Sequence, residues 1–272
     1  MDISHMSDLS VVTWNINSVR LRAPRVANFL AEHDPDVLCL QEIKCREAQF
    51  PEGVFRDAGY PHMHICGQKG LHGVATVSKH PIEQLEAPEF CGQGHARIAA
   101  SRINGYEIHN IYLPAGGDEP DPEINDKFAH KLDFLDRMEK LYADYPSDTP
   151  LIVVGDLNIA PHENDVWSHK QLLKIVSHTP VETDAMARII AAGRFTDLAR
   201  REHAPEDKLY SWWSYRAKDW EASNRGRRLD HIWANPAAEK KALAGTYRIH
   251  THERGGEKPS DHAPVQMTFG RL

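Results

Sequence analysis

The chain has 272 residues, 41% hydrophobic and 26% charged, proportions of a folded globular protein that exclude a disordered chain. No run approaches the roughly 18–20 consecutive apolar residues that a membrane-spanning helix needs, so no membrane association is expected. Lys+Arg 32 against Asp+Glu 39 give a net charge of −7, which argues against a uniformly basic polyanion binder.

The charge is uneven. Residues 208–258 hold eleven Lys/Arg and six Asp/Glu, a surplus of +5 that leaves −12 elsewhere. A basic stretch beside acidic clusters suits a metal-dependent enzyme acting on a polyanion. Four cysteines (Cys39, Cys45, Cys66, Cys91) without a C-x-x-C spacing give neither a disulfide framework nor the expectation of a structural zinc site. Reduced thiols in a cytoplasmic setting are expected, and no basic-then-apolar leader supports secretion. The opening six residues, 1–6, read as an expression-tag remnant ahead of a single catalytic domain over 7–272.

Short apolar runs at 9–14, 37–41, 74–78, 99–103, 106–112, 151–155, 229–233 and 265–269 predict strands, many of them β-branched. Asn104-Gly105 between two of them predicts a tight hairpin, so some neighbours are antiparallel. Helical spacing appears between the strands. Val26, Phe29 and Leu30 follow Pro24, a good first-turn residue. Phe128, Leu132, Leu135, Met138 and Tyr142 mark a helix over about 125–145, and Thr183 is placed to cap a helix carrying Met186, Ile189 and Ile190. Interleaved helices and strands without a linker predict one α/β domain with a mixed sheet system of two layers. Turn-rich segments at 68–73, 114–122, 160–180, 215–226 and 252–260 predict binding loops.

The informative residues sit where apolar strands end. Asn15 and Asn17 follow Trp14; Glu42 and Lys44 follow Gln41; Tyr112 closes another strand. Asp156 and Asn158 follow Val154, Asp230 follows Leu229, and Asp261-His262 precede Val265. Carboxylates and carboxamides at strand ends can meet at one sheet edge while the strands stay buried. Hard oxygen donors of that kind suit Mg2+ or Mn2+ rather than zinc. Singly, each residue has a plainer reading. An acid after a strand is usually a turn former or cap, His62/His64 and His250/His252 are more often strand positions than ligands, and Trp212-Trp213 is more often core than a stacking platform. No P-loop, G-x-S-x-G or H-E-x-x-H occurs.

In order, W-N-I-N (14–17), L-Q-E-I-K (40–44), Y-L-P-A-G (112–116), G-D-L-N-I-A-P (155–161), S-W-W-S-Y-R (211–216), N-R-G-R-R-L-D-H-I (224–232) and S-D-H-A-P-V (260–265) resemble the exonuclease III class of apurinic/apyrimidinic endonucleases. The resemblance runs from about residue 9 to 270. It implies a four-layer α-β-β-α sandwich of two mixed sheets flanked by helices, with the site at one edge of the facing sheets. The implied activity is Mg2+-dependent incision of double-stranded DNA 5′ to abasic sites, leaving a 3′-hydroxyl, with accompanying 3′→5′ exonuclease and 3′-phosphodiesterase action. By resemblance Glu42 is the principal metal ligand, with Asn15 and Asp261 near the ion, and Mn2+ is a potential substitute. Asp156 deprotonates the attacking water, Asn158 holds it, Asp230 orients His262, and Tyr112 reaches the phosphate or leaving oxygen. Trp212 and Leu229 match the pocket wall, with Trp213 behind. Arg216, Asn224, Arg225, Arg227 and Arg228 are expected along the DNA path. A monomer in a bacterial cytoplasm, associated with the nucleoid, completes the expectation.

Two residues depart from the family pattern. Arg227 stands where several relatives carry an apolar or aromatic pocket residue, and Ala115 replaces the more usual Asn after the proline. Two rivals remain. One is a phosphatase or phosphodiesterase of the same fold acting on a phosphoinositide, lipid or nucleotide. The other is a catalytically dead DNA-binding module, which has no use for buried carboxylates near phosphate.

Overall fold

In the computed structural model the described residues are 8–272, so the expected tag remnant at 1–6 lies outside them. The β-branched runs form strands β1 (Leu9–Asn15), β2 (Val37–Gln41), β3 (His62–Cys66) and β4 (Val74–Ser78). They continue as β5 (Glu83–Gln84), β6 (Ile98–Ile103), β7 (Tyr106–Tyr112) and β8 (Leu151–Asp156). The last are β9 (Thr196–Asp197), β10 (Trp212–Trp213), β11 (Gly226–Arg227), β12 (Asp230–Ala234), β13 (Arg248–Ile249) and β14 (Val265–Phe269). One six-stranded sheet has the order β13-β14-β1-β2-β4-β3 and the other β5-β6-β7-β8-β12-β9, while β10 and β11 form a separate ribbon. Each large sheet has one parallel pair at its centre, β1–β2 and β7–β8, with antiparallel neighbours outside.

Alternation along the strands sorts side chains between two faces. Val11, Val37 and Met267 of one sheet meet Ile108, Val154 and Ile232 of the other in a shared core. The opposite faces are covered by helices. Val12, Trp14 and Leu38 pack under the helix Val19–His33, and Ile111, Val153 and Trp233 under the helices Asp126–Ala143 and Pro180–Ala192. The result is the four-layer α-β-β-α sandwich, two mixed sheets flanked by helices. A polar seam crosses the centre: Gln41 Nε2 donates to Thr13 Oγ1 (2.9 Å) and Asn110 Oδ1 (2.7 Å), and Asn110 Nδ2 donates to Ala75 O (3.0 Å). No helix among the described residues is long and apolar enough to cross a membrane.

Two helix starts differ from the sequence reading. The first helix begins at Val19, and Pro24 lies inside it rather than in its first turn. Tertiary bonds set that start, because Ser18 N donates to Glu42 O (2.7 Å) and Val19 N to Ile43 O (3.3 Å). The helix Pro180–Ala192 is capped by Thr179, not Thr183; Glu182 returns its carboxylate to Thr179 N (3.1 Å), closing a capping box behind Pro180. The strand β3, anticipated in the sequence only through His62 and His64 as strand positions, alternates weakly and holds the outer edge by pairing with β4.

One glycine fixes the approach of the G-D-L-N segment. Gly155 has φ +143°, and a Cβ there would stand 1.8 Å from Ile111 O of the neighbouring strand. Gly155→Ala is therefore expected to cost on the order of 3 kcal/mol, by combined backbone strain and clash. Urea unfolding measures it, and a midpoint unchanged from wild type contradicts the packing described.

Candidate active site

Strand register brings the polar ends together. β1 and β2 run parallel, so Asn15 and Gln41 end side by side, with Glu42 next. β7 and β8 also run parallel, aligning Tyr112 with Asp156, and antiparallel β12 sets Asp230 opposite Asp156. Asp261 and His262 lie before β14, where irregular backbone lets both side chains serve one cleft, as Ser260 Oγ donates to Asn15 O (2.6 Å) and Trp14 Nε1 to His262 O (3.0 Å).

Asn15 is the bridge between the sheets. Its amide nitrogen donates to Glu42 Oε1 (2.9 Å) and Asp156 Oδ2 (2.8 Å), and its oxygen accepts from Asn17 N (3.0 Å). Tyr112 Oη donates to the same Glu42 Oε1 (2.8 Å). Burial, then the charges of Glu42 and Asp156, push the Tyr112 phenol well above its ordinary range, so it remains a donor. On the other side of Glu42, Lys44 Nζ reaches Glu42 Oε2 (2.8 Å) and Asn17 Oδ1 (2.5 Å). Asn17 Nδ2 donates to Asp261 Oδ1 (3.0 Å), and Trp212 Nε1 to Asp261 Oδ2 (3.0 Å).

His262 sits between two carboxylates. Its Nδ1 is 2.8 Å from Asp230 Oδ2 and its Nε2 3.6 Å from Asp156 Oδ2. Burial works against a charge on the ring, but Asp230 and Asp156 outweigh it and raise the His262 pKa to about 10. Burial pushes Asp156 up to about 7, with His262 and the Asn15 amide opposing it. An acid that gains and loses its proton near neutrality is what a general base requires. Asp230 Oδ2 also accepts from Ser211 Oγ (2.6 Å), a positioning contact that the sequence reading did not assign. Asn158 N donates to Asp156 Oδ1 (3.0 Å) and its Nδ2 to Leu113 O (2.9 Å), which leaves its amide oxygen as the atom to orient water.

The donor set fits a hard divalent cation. Glu42, Asn15 and Asp261 offer oxygens alone, and the Lys44 ammonium already bridges Glu42 and Asn17 at that place, a seat for positive charge. Asp156, Asp230 and His262 also bring ligand atoms within 4.8 Å of one another, but the protonated ring between the two carboxylates already places a positive charge there without an ion.

Beyond Asp261 lies a cavity of about 620 Å³ lined by Trp167, Val176, Trp212, Arg216, Arg225 and Arg227 among others. Trp212 is half-buried at its wall, with Leu229 buried behind it beside Ala160 and Leu172. Arg227 stands 5.2 Å over the Trp212 ring, held by Val176 O (3.1 Å) and Ser177 Oγ (2.7 Å), so a cation sits at the pocket rim. Arg216 and Arg225 are exposed there.

One expectation on the DNA path fails. Arg228 is fully buried and forks onto Asp165 Oδ2 (2.7 Å) and Asp197 Oδ2 (2.7 Å), so its charge holds the fold and cannot reach a phosphate. Asn224 is exposed between Ser223 and Arg225 of the cavity lining, and its amide oxygen accepts from Trp213 Nε1 (3.0 Å). A buried Lys131–Glu182 ion pair was also missed; Lys131 Nζ additionally donates to Asn158 O (2.9 Å), bracing the loop that carries Asn158. The T-P-V-E capping pattern at 179–182 was its sequence signal.

Comparison with known proteins bears on this geometry. Residues 12–262 match the model of the endonuclease/exonuclease/phosphatase family. The chain belongs to that family. It is 28% identical to the exodeoxyribonuclease III of Haemophilus influenzae, across 96% of this chain and 100% of the relative. An AP endonuclease structure from Archaeoglobus fulgidus superposes with TM-score 0.88 at 31% identity, covering 96% of this chain and 99% of the other. A Neisseria 3′ phosphatase bound to a product DNA hairpin gives TM-score 0.86 at 30% identity, covering 96% and 99%. These likenesses agree with the motifs in placing the chain in the exonuclease III branch of the family, among hydrolases of the AP-endonuclease type.

The His262 assignment has a pH signature. A folded-state pKa raised from 6.5 to about 10 gives stability that is complete below pH 6.5 and lost as pH climbs through 10. Asp156, also raised, acts in the same direction at lower pH, because the unfolded chain releases that proton more readily. Nitrogen-detected NMR is expected to show His262 still protonated at pH 8, and unfolding free energy is expected to decline from pH 6.5 to 10. A His262 ring that titrates near 6.5 contradicts the assignment.

Proposed function

We propose that this protein is a Mg2+-dependent DNA repair phosphodiesterase that incises duplex DNA 5′ to an abasic site and leaves a 3′-hydroxyl. The observation that carries the reading is the meeting of Glu42, Asp156 and the Asp230–His262 pair in one cleft, next to a Trp212-walled cavity with arginines on its rim. Glu42, Asn15 and Asp261 would hold the ion, which supplies neutralisation of charge on the phosphate and the departing oxygen. Asp156 takes the proton of the attacking water, with Asn158 orienting that water. The His262 imidazolium, kept charged by its two carboxylates, donates to a non-bridging phosphate oxygen. Tyr112, held protonated, donates to the phosphate or the leaving 3′-oxygen.

Substrate choice rests on the cavity. A sugar without its base leaves the stack at less cost, and a pocket with an apolar wall admits it while excluding a base-bearing nucleotide. Arg216 and Arg225 supply phosphate contacts beside that opening. Arg227 favours a second activity at the same site, removal of blocking groups from 3′ ends, because its guanidinium on the Trp212 rim complements a terminal phosphate.

An end-labelled duplex with one tetrahydrofuran lesion, compared with a duplex ending in a 3′-phosphate, tests both activities. Incision at the lesion that needs Mg2+ or Mn2+ and stops in chelator is the expected result, and full cleavage in chelator contradicts the metal assignment. Activity on an inositol phosphate but on neither DNA would favour the phosphatase rival. Asp156→Asn is expected to lower turnover by at least about 10²-fold with DNA affinity nearly unchanged, as a general base acts in the transition state; a variant within tenfold of wild type refutes that role. Trp212→Ala is expected to reduce lesion incision more than trimming of undamaged 3′ ends, and equal losses take Trp212 out of the pocket.

A further inference from the structure

A second constellation, built from softer ligands, lies close to the oxygen-rich cleft. Cys91, His95 and His130 bring one sulfur and two ring nitrogens within 4.8 Å of one another. The first two come from one short loop, Cys91-Gly92-Gln93-Gly94-His95. Gly94, at φ +66°, donates its N–H to Cys91 O (3.1 Å), closing a turn that returns His95 beside Cys91. His130 enters from the helix Asp126–Ala143, whose packing fixes its position. Its Nε2 is 3.4 Å from Cys91 Sγ. The S–N edge of a tetrahedron with Zn–S of about 2.3 Å and Zn–N of about 2.0 Å is about 3.5 Å, so this pair already stands at a ligand spacing.

We propose that Cys91, His95 and His130 form a binding site for Zn2+ or a similar borderline divalent metal, separate from the magnesium-type centre, with its fourth position open to solvent. Two further observations support it. The Nδ1 atoms of His95 and of the neighbouring His72 are buried with no hydrogen-bond partner, a deficit that a protein seldom leaves uncompensated. The cluster opens on a cavity of about 460 Å³ shared with His72, Arg97 and Tyr112, which gives an ion both an entry path and room for a fourth ligand.

Arg97 lines the same cavity, and a metal-bound Cys91 thiolate would offset one of the two charges an ion brings beside that guanidinium. The hard centre is chemically distinct, since Glu42, Asn15 and Asp261 offer oxygen alone. The two sites are nonetheless neighbours: His72 stacks on His95 with ring centroids 4.4 Å apart and lies 6.3 Å from the Tyr112 ring. Cysteine spacing alone gave no expectation of a structural zinc site; the cluster proposed here combines a C-x-x-x-H loop with a histidine 35 residues further on.

The test is a Co2+ titration of the full, chelator-stripped protein, in excess Mg2+ so that the oxygen site stays filled. Four-coordinate Co2+ with a thiolate gives intense visible bands and a sulfur-to-cobalt charge-transfer band in the near ultraviolet, and Zn2+ should bleach both at one equivalent. Cys91→Ser is expected to abolish the charge-transfer band, and His95→Gln to weaken Co2+ binding about tenfold or more. His95 is half-buried on a loop, so His95→Gln keeps the experiment decisive even if Cys91→Ser perturbs packing, with circular dichroism as the folding check. A wild-type protein without the charge-transfer band, or a band and affinity unaltered in His95→Gln, overturns the proposal.

Discussion

Four carboxylates, those of Glu42, Asp156, Asp230 and Asp261, converge from two sheets, and the cleft exists because their repulsion is answered locally. The Asn15 amide spans Glu42 and Asp156, 2.9 and 2.8 Å away, so one donor ties an acid of the first sheet to an acid of the second. The His262 ring supplies a positive charge between Asp156 and Asp230, and Lys44 supplies another beside Glu42. With burial raising the cost of every unpaired charge, these contacts decide the protonation states available for chemistry.

The rest of the architecture serves to hold that arrangement. The register of β1 with β2, and of β7 with β8 and β12, sets the acids at adjacent strand ends, and the Gln41–Asn110 seam links the two sheets a short distance below. Lys131 and Glu182 brace the Asn158 loop from the helical layer, and Ser211 steadies Asp230 from the β10 side. Arg228, Asp165 and Asp197 form a buried ionic knot under the pocket wall; losing one partner there would leave uncompensated charge in the core.

The basic stretch at 208–258 divides into two kinds of arginine. Arg228 is consumed by internal ion pairs, and Arg254 is buried, donating to Trp213 O (3.2 Å) and stacking near Trp220. Arg216 and Arg225 remain exposed on the cavity rim. Net charge over a sequence window therefore overstates the surface field, because a buried pair contributes little outside the protein.

The alternation of apolar residues, with polar residues at strand ends, was enough to establish a two-sheet α/β domain, and the ordered motifs were enough to establish the family. Both are local or compositional properties: side-chain chemistry is fixed by residue type, and facing by the two-residue period. The tertiary structure alone decided which charges meet. Nothing near Arg228 in the chain marks it as internal, since Asp165 is 63 residues away, and nothing before Cys91 announces His130. The helix start at Val19 was likewise set by carbonyls of residues 42 and 43 rather than by Pro24. A side chain's role depends on partners distant in sequence, and only folding brings those partners within hydrogen-bonding reach.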